Sequence, residues 1–233
     1  MLFSQAGLKL FAYLAMTLDH ITEIFPLPSA LSAVLSNIGM IAMPLFAKFV
    51  AEGFRHTKSI SRYLMRLALC GIPSHFAFIY AFRREYLTSS AITTLFLALL
   101  ALYIWNARAI PKNAKIALII VILIISYPSD WSICAVLWAL AFDKFRRNKF
   151  KQIIWFVAIG FGFVAFKAYL VNGAVVLTGA PDNVFGFLLA IPPLVLYNGK
   201  QGRLPRLLKR AGYLYYPMHL IALRTIAQFF CEA

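Results

Sequence analysis

Acid is what this chain has least of. Eight aspartates and glutamates stand against 23 lysines and arginines in 233 residues, and charged side chains make up only 13%. A soluble domain is about a quarter charged and nearer half apolar. At 62% hydrophobic, with a mean hydropathy of +0.78, this chain has too much apolar surface for such a domain to hide, which excludes a water-soluble globular protein. Cysteine is nearly absent as well. Cys70, Cys134 and Cys231 are scattered, with neither a disulfide pattern nor a metal-ligand spacing, so they read as small apolar fillers and no metal centre is expected. The usual catalytic signatures are missing too: no Walker-type phosphate loop, no His-Glu-x-x-His, no Gly-x-Ser-x-Gly, and no charge-studded helix of a voltage sensor.

The net charge of +15 raises the question of nucleic acid. The cations, however, fall in short clusters between apolar runs, as cytoplasmic loops do, so no nucleic-acid partner is expected. What fills the chain is nine apolar segments: Leu8–Phe25, Leu31–Phe54, Ile60–Phe82, Ala91–Ala107, Ala114–Ser126, Trp131–Phe142, Phe150–Val171, Val184–Tyr197 and Leu204–Phe230. A perpendicular crossing takes about 20 residues, so the fifth, sixth and eighth are short. The fifth and sixth meet at Ser126-Tyr127-Pro128-Ser129-Asp130 and suit a re-entrant hairpin. The expectation is an all-α, polytopic transmembrane bundle of about nine helices, two of them candidates for re-entry, forming a single domain over 1–233.

Orientation follows from the bases. With the N-terminus cytoplasmic, 18 of the 23 basic residues fall on the inside, while Arg83, Arg84 and Arg224 lie outside and Lys48 and Lys167 fall within segments. Asp19-His20 interrupts the first apolar run and no clear small-residue cleavage site follows, so a cleaved signal peptide is not expected. Pro26 and Pro28 close the first segment, Pro128 divides the fifth from the sixth, and Pro192-Pro193 are expected to break the eighth. Breaks of this kind should face protein or a wet cavity rather than lipid.

Ionisable groups within apolar segments are costly and are functional candidates by default. Lys9 and His20 are eleven residues apart in the first segment. On a helix they lie within about 20° of one face and about 16 Å apart along the axis. A cation at one membrane edge with an imidazole three turns deeper suits a long, phosphate-headed acyl donor lying along the helix. Asp19 and Glu23 can cluster with His20 and tune its imidazole for proton transfer, or they can simply wet the helix end. Lys48 and Glu52 are spaced to neutralise each other, or else Glu52 helps shape a donor site. His75, following Pro73, and His219, in Tyr215-Tyr216-Pro217-Met218-His219-Leu220, read either as bundle histidines or as substrate contacts. Asp130-Trp131 reads as an interfacial cap with an aromatic anchor or as a further substrate contact. Lys167 can snorkel to the interface and is given no role.

Two blocks are more specific. Ile38-Gly39-Met40-Ile41-Ala42-Met43-Pro44-Leu45-Phe46-Ala47 and Glu52-Gly53-Phe54-Arg55-His56-Thr57-Lys58-Ser59 resemble the signature of the TraX family. Asp19-His20, Arg62-Tyr63-Leu64-Met65-Arg66-Leu67, Asp130-Trp131 and Tyr216-Pro217-Met218-His219-Leu220 extend the resemblance along nearly the whole chain. It departs at Gly39-Met40, where such sequences commonly carry Gly-Arg. The chain is similar also to acyltransferase family 3, in which a basic residue, ten intervening residues and a histidine mark the first helix, the spacing of Lys9 and His20.

The resemblance implies a multi-pass acetyltransferase of the bacterial inner membrane, acting on the N-terminus of a pilin subunit or on another extracytoplasmic acceptor, with membrane lipid around it. Its donor would be acetyl-CoA, without a metal. The coenzyme phosphates would rest near Lys9, Arg55, Lys58 and Arg62, with Glu52 beside them. His20 would act as base, oriented by Asp19 or Glu23, while Asp130, His75 and His219 would line the acceptor side. Rival readings are an O-acetyltransferase for a cell-surface glycan, a small proton-coupled transporter and a pilin-binding assembly chaperone. Buried acids, bases and broken helices are also what carriers use, but no repeat relates the two halves.

Overall fold

The computed structural model describes residues 3–83, 88–129, 131–172, 185–202 and 206–231, the last helix with side chains from residue 212 onward. Among the described residues the protein is all helical: α1 (Gln5–Ile24), α2 (Ser29–Gly39), α3 (Ala42–His56), α4 (Ile60–Phe82), α5 (Ala91–Asn106), α6 (Lys112–Ser126), α7 (Ser132–Lys144), α8 (Lys149–Asn172), a 3-10 turn (Gly186–Ala190), α9 (Ile191–Leu196) and α10 (Arg206–Cys231). Among the described residues three stretches are long and apolar enough to cross a membrane: Ser29–His56, Ile60–Phe82 and Lys149–Leu170.

Each apolar segment expected from the sequence becomes helical, with one difference. The second segment is two helices rather than one, turning at Met40-Ile41. Pro44 explains the turn, because its ring collides with the carbonyl four residues back and it has no N–H to give. The eighth segment divides beside Pro192-Pro193 into a 3-10 turn (Gly186–Ala190) and α9, with the prolines in the first turn of α9, where backbone N–H groups have no helical partner in any case. The fifth and sixth segments form a hairpin of 15 and 13 residues. At 1.5 Å per residue both helices fall short of a hydrocarbon core about 30 Å thick.

α7 is the centre of the bundle. It packs on α3, α5 and α8, and Trp138, Val136 and Phe142 along it are almost wholly buried. Alanines let the backbones approach: Ala47 and Ala51 on α3, Ala98 and Ala101 on α5, Ala135 and Ala139 on α7 are all buried. The Trp138 indole N–H donates to the Phe156 carbonyl of α8 at 3.0 Å, so the one polar atom of that ring is satisfied inside the core.

α1 lies against α2, α3 and α10, and α10 in turn packs on α4. The first turn of α1 is anchored by the chain from 196 to 201: Gln5 and Ala6 donate their N–H groups to the carbonyls of Lys200 and Gln201 at 2.9 and 3.1 Å. Ser4 caps the same turn through Gly7 N–H. Thus α1 is fixed at its base, and α10 is laid along its length.

Candidate functional site

One face of α1 carries Lys9, Tyr13, Thr17 and His20 at intervals of four, four and three residues, the spacing of a single helical stripe. Each meets a partner on a neighbouring helix. Lys9 Nζ sits 5.8 Å from the centre of the Phe49 ring of α3. The Tyr13 ring lies between Phe46 of α3 and Tyr215 of α10, at 5.4 and 4.9 Å, and its hydroxyl donates to the Gly212 carbonyl at 3.2 Å. Thr17 Oγ1 donates to the Tyr13 carbonyl at 2.9 Å. Its single hydrogen is thereby used, so in the 2.6 Å contact with Tyr215 it is the tyrosine hydroxyl that donates.

At the far end of the stripe His20 is buried and meets His219, also buried. The distance from His20 Nδ1 to His219 Nε2 is 2.7 Å. The ring centres are 5.0 Å apart and the planes differ by only 16°. That separation exceeds the N···N distance by about two ring radii, so the rings meet edge to edge in nearly one plane, with the nitrogen lone pair pointing along the bond. Phe82, the last residue of α4, and Tyr216 stand edge-on around His20 at 5.2 and 5.9 Å. His219 Nδ1 is 2.7 Å from the Tyr215 carbonyl, and the Tyr215 ring stacks on His219 at 4.9 Å. Pro217 within α10 has no N–H to give Tyr213, which loosens the turn holding that carbonyl.

The structure therefore brings together two of the expected residues, His20 and His219, which are 199 positions apart. Neither Asp19 nor Glu23 hydrogen-bonds the imidazole. Asp19 turns toward α2, where Ser36 Oγ donates to its Oδ1 at 3.5 Å and Gly39 lies against it. Glu23 is exposed one turn beyond. His75 is part-buried on α4, its ring neighbour among the described residues being Phe76 at 5.8 Å. Asp130 lies outside the described residues. Tyr13, Thr17 and Tyr215 were not singled out from the sequence, although stepping four residues from Lys9 twice reaches Tyr13 and Thr17.

The expected donor-side residues divide into two groups. Lys58 and Arg62 are exposed around the turn into α4, where Ser59 caps the helix by accepting from Arg62 N–H at 3.3 Å. Arg55 instead grips Asp143 with its Nε and Nη2, and Nη2 also donates to Asn106 Oδ1 at 2.8 Å. Glu52 accepts from Lys48 at 3.1 Å, while Lys48 also donates to Gln152 Oε1 at 3.1 Å. Asp143 thus ties α7 to α3 and α5, while Glu52 neutralises Lys48 within α3 and Lys48 makes the link to α8.

A helix bundle with stretches long and apolar enough to cross a membrane, and a buried imidazole pair at the end of a lysine-headed stripe, defines a membrane protein whose candidate site lies between its first and last helices. The chain belongs to the TraX family, whose model, described as TraX protein, matches residues 4–227. It is similar to the "Probable fimbrial assembly protein FimC, serogroup H1" of Dichelobacter nodosus, with 31% identity covering 99% of this chain and 98% of that protein. No solved structure matches it.

Proposed function

We propose that this protein is a multi-pass acetyltransferase of the bacterial inner membrane. It takes an acetyl group from cytoplasmic acetyl-CoA and gives it to an extracytoplasmic acceptor, the N-terminal amine of a pilin subunit. The observation that carries the reading is the buried imidazole of His20 at the end of the stripe that begins with Lys9. The fimbrial-assembly name of the relative supports a pilus-related acceptor. The bias of basic residues supports a cytoplasmic N-terminus, which puts Lys9 on the donor side and His20 toward the outside.

The coenzyme phosphates rest near Lys9, and the pantetheine arm follows α1 inward for the roughly 16 Å to His20, which brings the thioester beside the imidazole. An α-amino group has an unperturbed pKa of about 7.7–8, so a neutral fraction is available for attack, and His20 takes the proton released as the amide forms. A pilus-related substrate on the outside and a coenzyme on the inside also account for placing the chemistry within a membrane protein.

Intact-mass spectrometry of pilin from cells with and without the gene tests the acceptor. Pilin should be heavier by one acetyl group at its N-terminus when the gene is present. In cells carrying His20→Ala, pilin should lose that acetyl group while the variant still inserts into the membrane. An unchanged pilin mass would overturn the pilin assignment, and full acetylation by the His20 variant would overturn the base.

A further inference from the structure

The Tyr215 carbonyl can only accept, so the 2.7 Å contact with His219 Nδ1 places a proton on that nitrogen. Among the described residues neither ring is hydrogen-bonded to a carboxylate, and both are buried among aromatic side chains, where a net charge is costly; the resting pair is therefore neutral. Neutral His219 with Nδ1 protonated offers a bare Nε2. The edge-to-edge contact with His20 requires one proton between the rings, and His20 Nδ1 must supply it. A neutral imidazole has one N–H, so His20 Nε2 is left bare.

We propose that His219 is a positioning residue: by accepting from His20 Nδ1–H it fixes the tautomer of His20 and makes Nε2 the proton acceptor of the transfer. This rests on the acyl-transfer reading above. In the step itself the amine nitrogen attacks the thioester carbonyl, a C–N bond forms and the C–S bond breaks. The amine proton passes to His20 Nε2, giving an imidazolium with both nitrogens protonated. Its Nδ1–H bond to His219 then becomes charge-assisted, and the Tyr215 carbonyl extends the polarisation by one more bond. His20 Nε2 returns the proton to the departing thiolate, so the products are an amide and a free thiol and His20 ends neutral. His219 never touches the substrate. It replaces the carboxylate that usually orients a catalytic histidine, with the difference that a neutral acceptor is less costly to keep inside an apolar helix contact.

Two variants and two readouts test this. Gln at position 219 can place a carbonyl oxygen near the site of the imidazole Nε2 and still accept, whereas Leu cannot. Nitrogen NMR of the histidine-labelled full chain in detergent micelles, with His20 assigned by its loss in His20→Asn, distinguishes protonated from bare ring nitrogens. Native His20 should show Nδ1 protonated and Nε2 bare; in His219→Leu it should revert to the Nε2–H form that free imidazole prefers. A native His20 with its proton on Nε2, or a tautomer unchanged by His219→Leu, would overturn the proposal.

In assays with acetyl-CoA and a pilin N-terminal peptide, His219→Leu should lower kcat by roughly a hundredfold with the KM for acetyl-CoA unaltered, and His219→Gln should return it to within about tenfold of native. Native rates in both variants would likewise overturn it. If the native chain transfers no acetyl group to any amine tested, the acyl-transfer reading falls and the base role with it, whereas the nitrogen spectrum alone decides the tautomer.

Discussion

Arg55, near the end of α3, holds Asp143, in the last turn of α7, through two of its guanidinium nitrogens, and Asn106 of α5 joins them from the side. Three helices are thus closed at one end by a single fork. The Asp143 side chain is only 4% exposed while Arg55 is 34% exposed, so the carboxylate is the partner that cannot do without the bond. Arg55→Ala should destabilise by roughly 1–3 kcal/mol, because it leaves a buried acceptor with weaker partners. Adding Asp143→Ala should cost much less than the sum of the two single changes. Thermal melts of the three variants in one detergent measure this. If Arg55→Ala weakened acetyl-CoA affinity without lowering the melting temperature, the donor contact would outweigh the structural one.

The Lys48 ammonium is buried between Glu52 and Gln152, above the rings of Phe142 and Tyr197 at 5.6 and 5.9 Å. Glu52→Gln removes the only negative charge in that set and leaves a buried cation with neutral acceptors. Such a loss typically costs about 3–5 kcal/mol when the pair is fully buried, and somewhat less here because Glu52 is 20% exposed. Lys48→Met together with Glu52→Met should recover most of the stability, since two apolar side chains of similar length need no partners. A double variant that melts as low as Glu52→Gln would show that the pair does more than neutralise itself.

Gly39 is dictated by Asp19. A Cβ at position 39 would come within 2.6 Å of Asp19 Oδ1 and against the Asp19 side-chain carbons, so α1 and α2 would have to part. Gly39→Ala should therefore destabilise by about 1–3 kcal/mol, as overpacking does, and should also reduce transfer by displacing the turn that holds His20. Gly162 of α8 is the control. Nothing lies within 4 Å of a Cβ there, so Gly162→Ala should be neutral or stabilising by up to about 1 kcal/mol. Melting curves with the same sign for both substitutions would contradict the close approach of α1 and α2.

These relationships separate what the residues disclose from what only folding adds. Length and apolarity locate the helical segments, because a membrane-length hydrophobic run has few other options. The turn at Met40 depends on how Pro44 meets its own backbone, which hydropathy does not report. Periodicity places Lys9 and His20 on one face, and that holds. It also groups Asp19 and Glu23 with His20, yet it cannot say which helix each side of α1 will meet: Asp19 is 100° around from His20 and faces α2. His219 could be singled out beside Pro217, but its partner lies 199 residues away, and no local pattern carries that contact. Arg55 reads as a cation awaiting a coenzyme phosphate until Asp143 arrives from another segment, whereas spacing already pairs Lys48 with Glu52 and only its bond to Gln152 is added by folding.

Lys9 tests the other end of the stripe. Its Nζ lies over the Phe49 ring of α3, 5.8 Å from the ring centre. Lys9→Met keeps the apolar stem against α3 and removes the charge. If the ammonium meets a coenzyme phosphate, a charged contact worth roughly 1.5–3 kcal/mol is lost from ground state and transition state alike. The KM for acetyl-CoA should then rise about tenfold to a hundredfold with kcat nearly unchanged, and Lys9→Arg should keep most of the affinity. The opposite split, kcat falling at constant KM, would place Lys9 outside the donor site and leave His20 without its cationic counterpart.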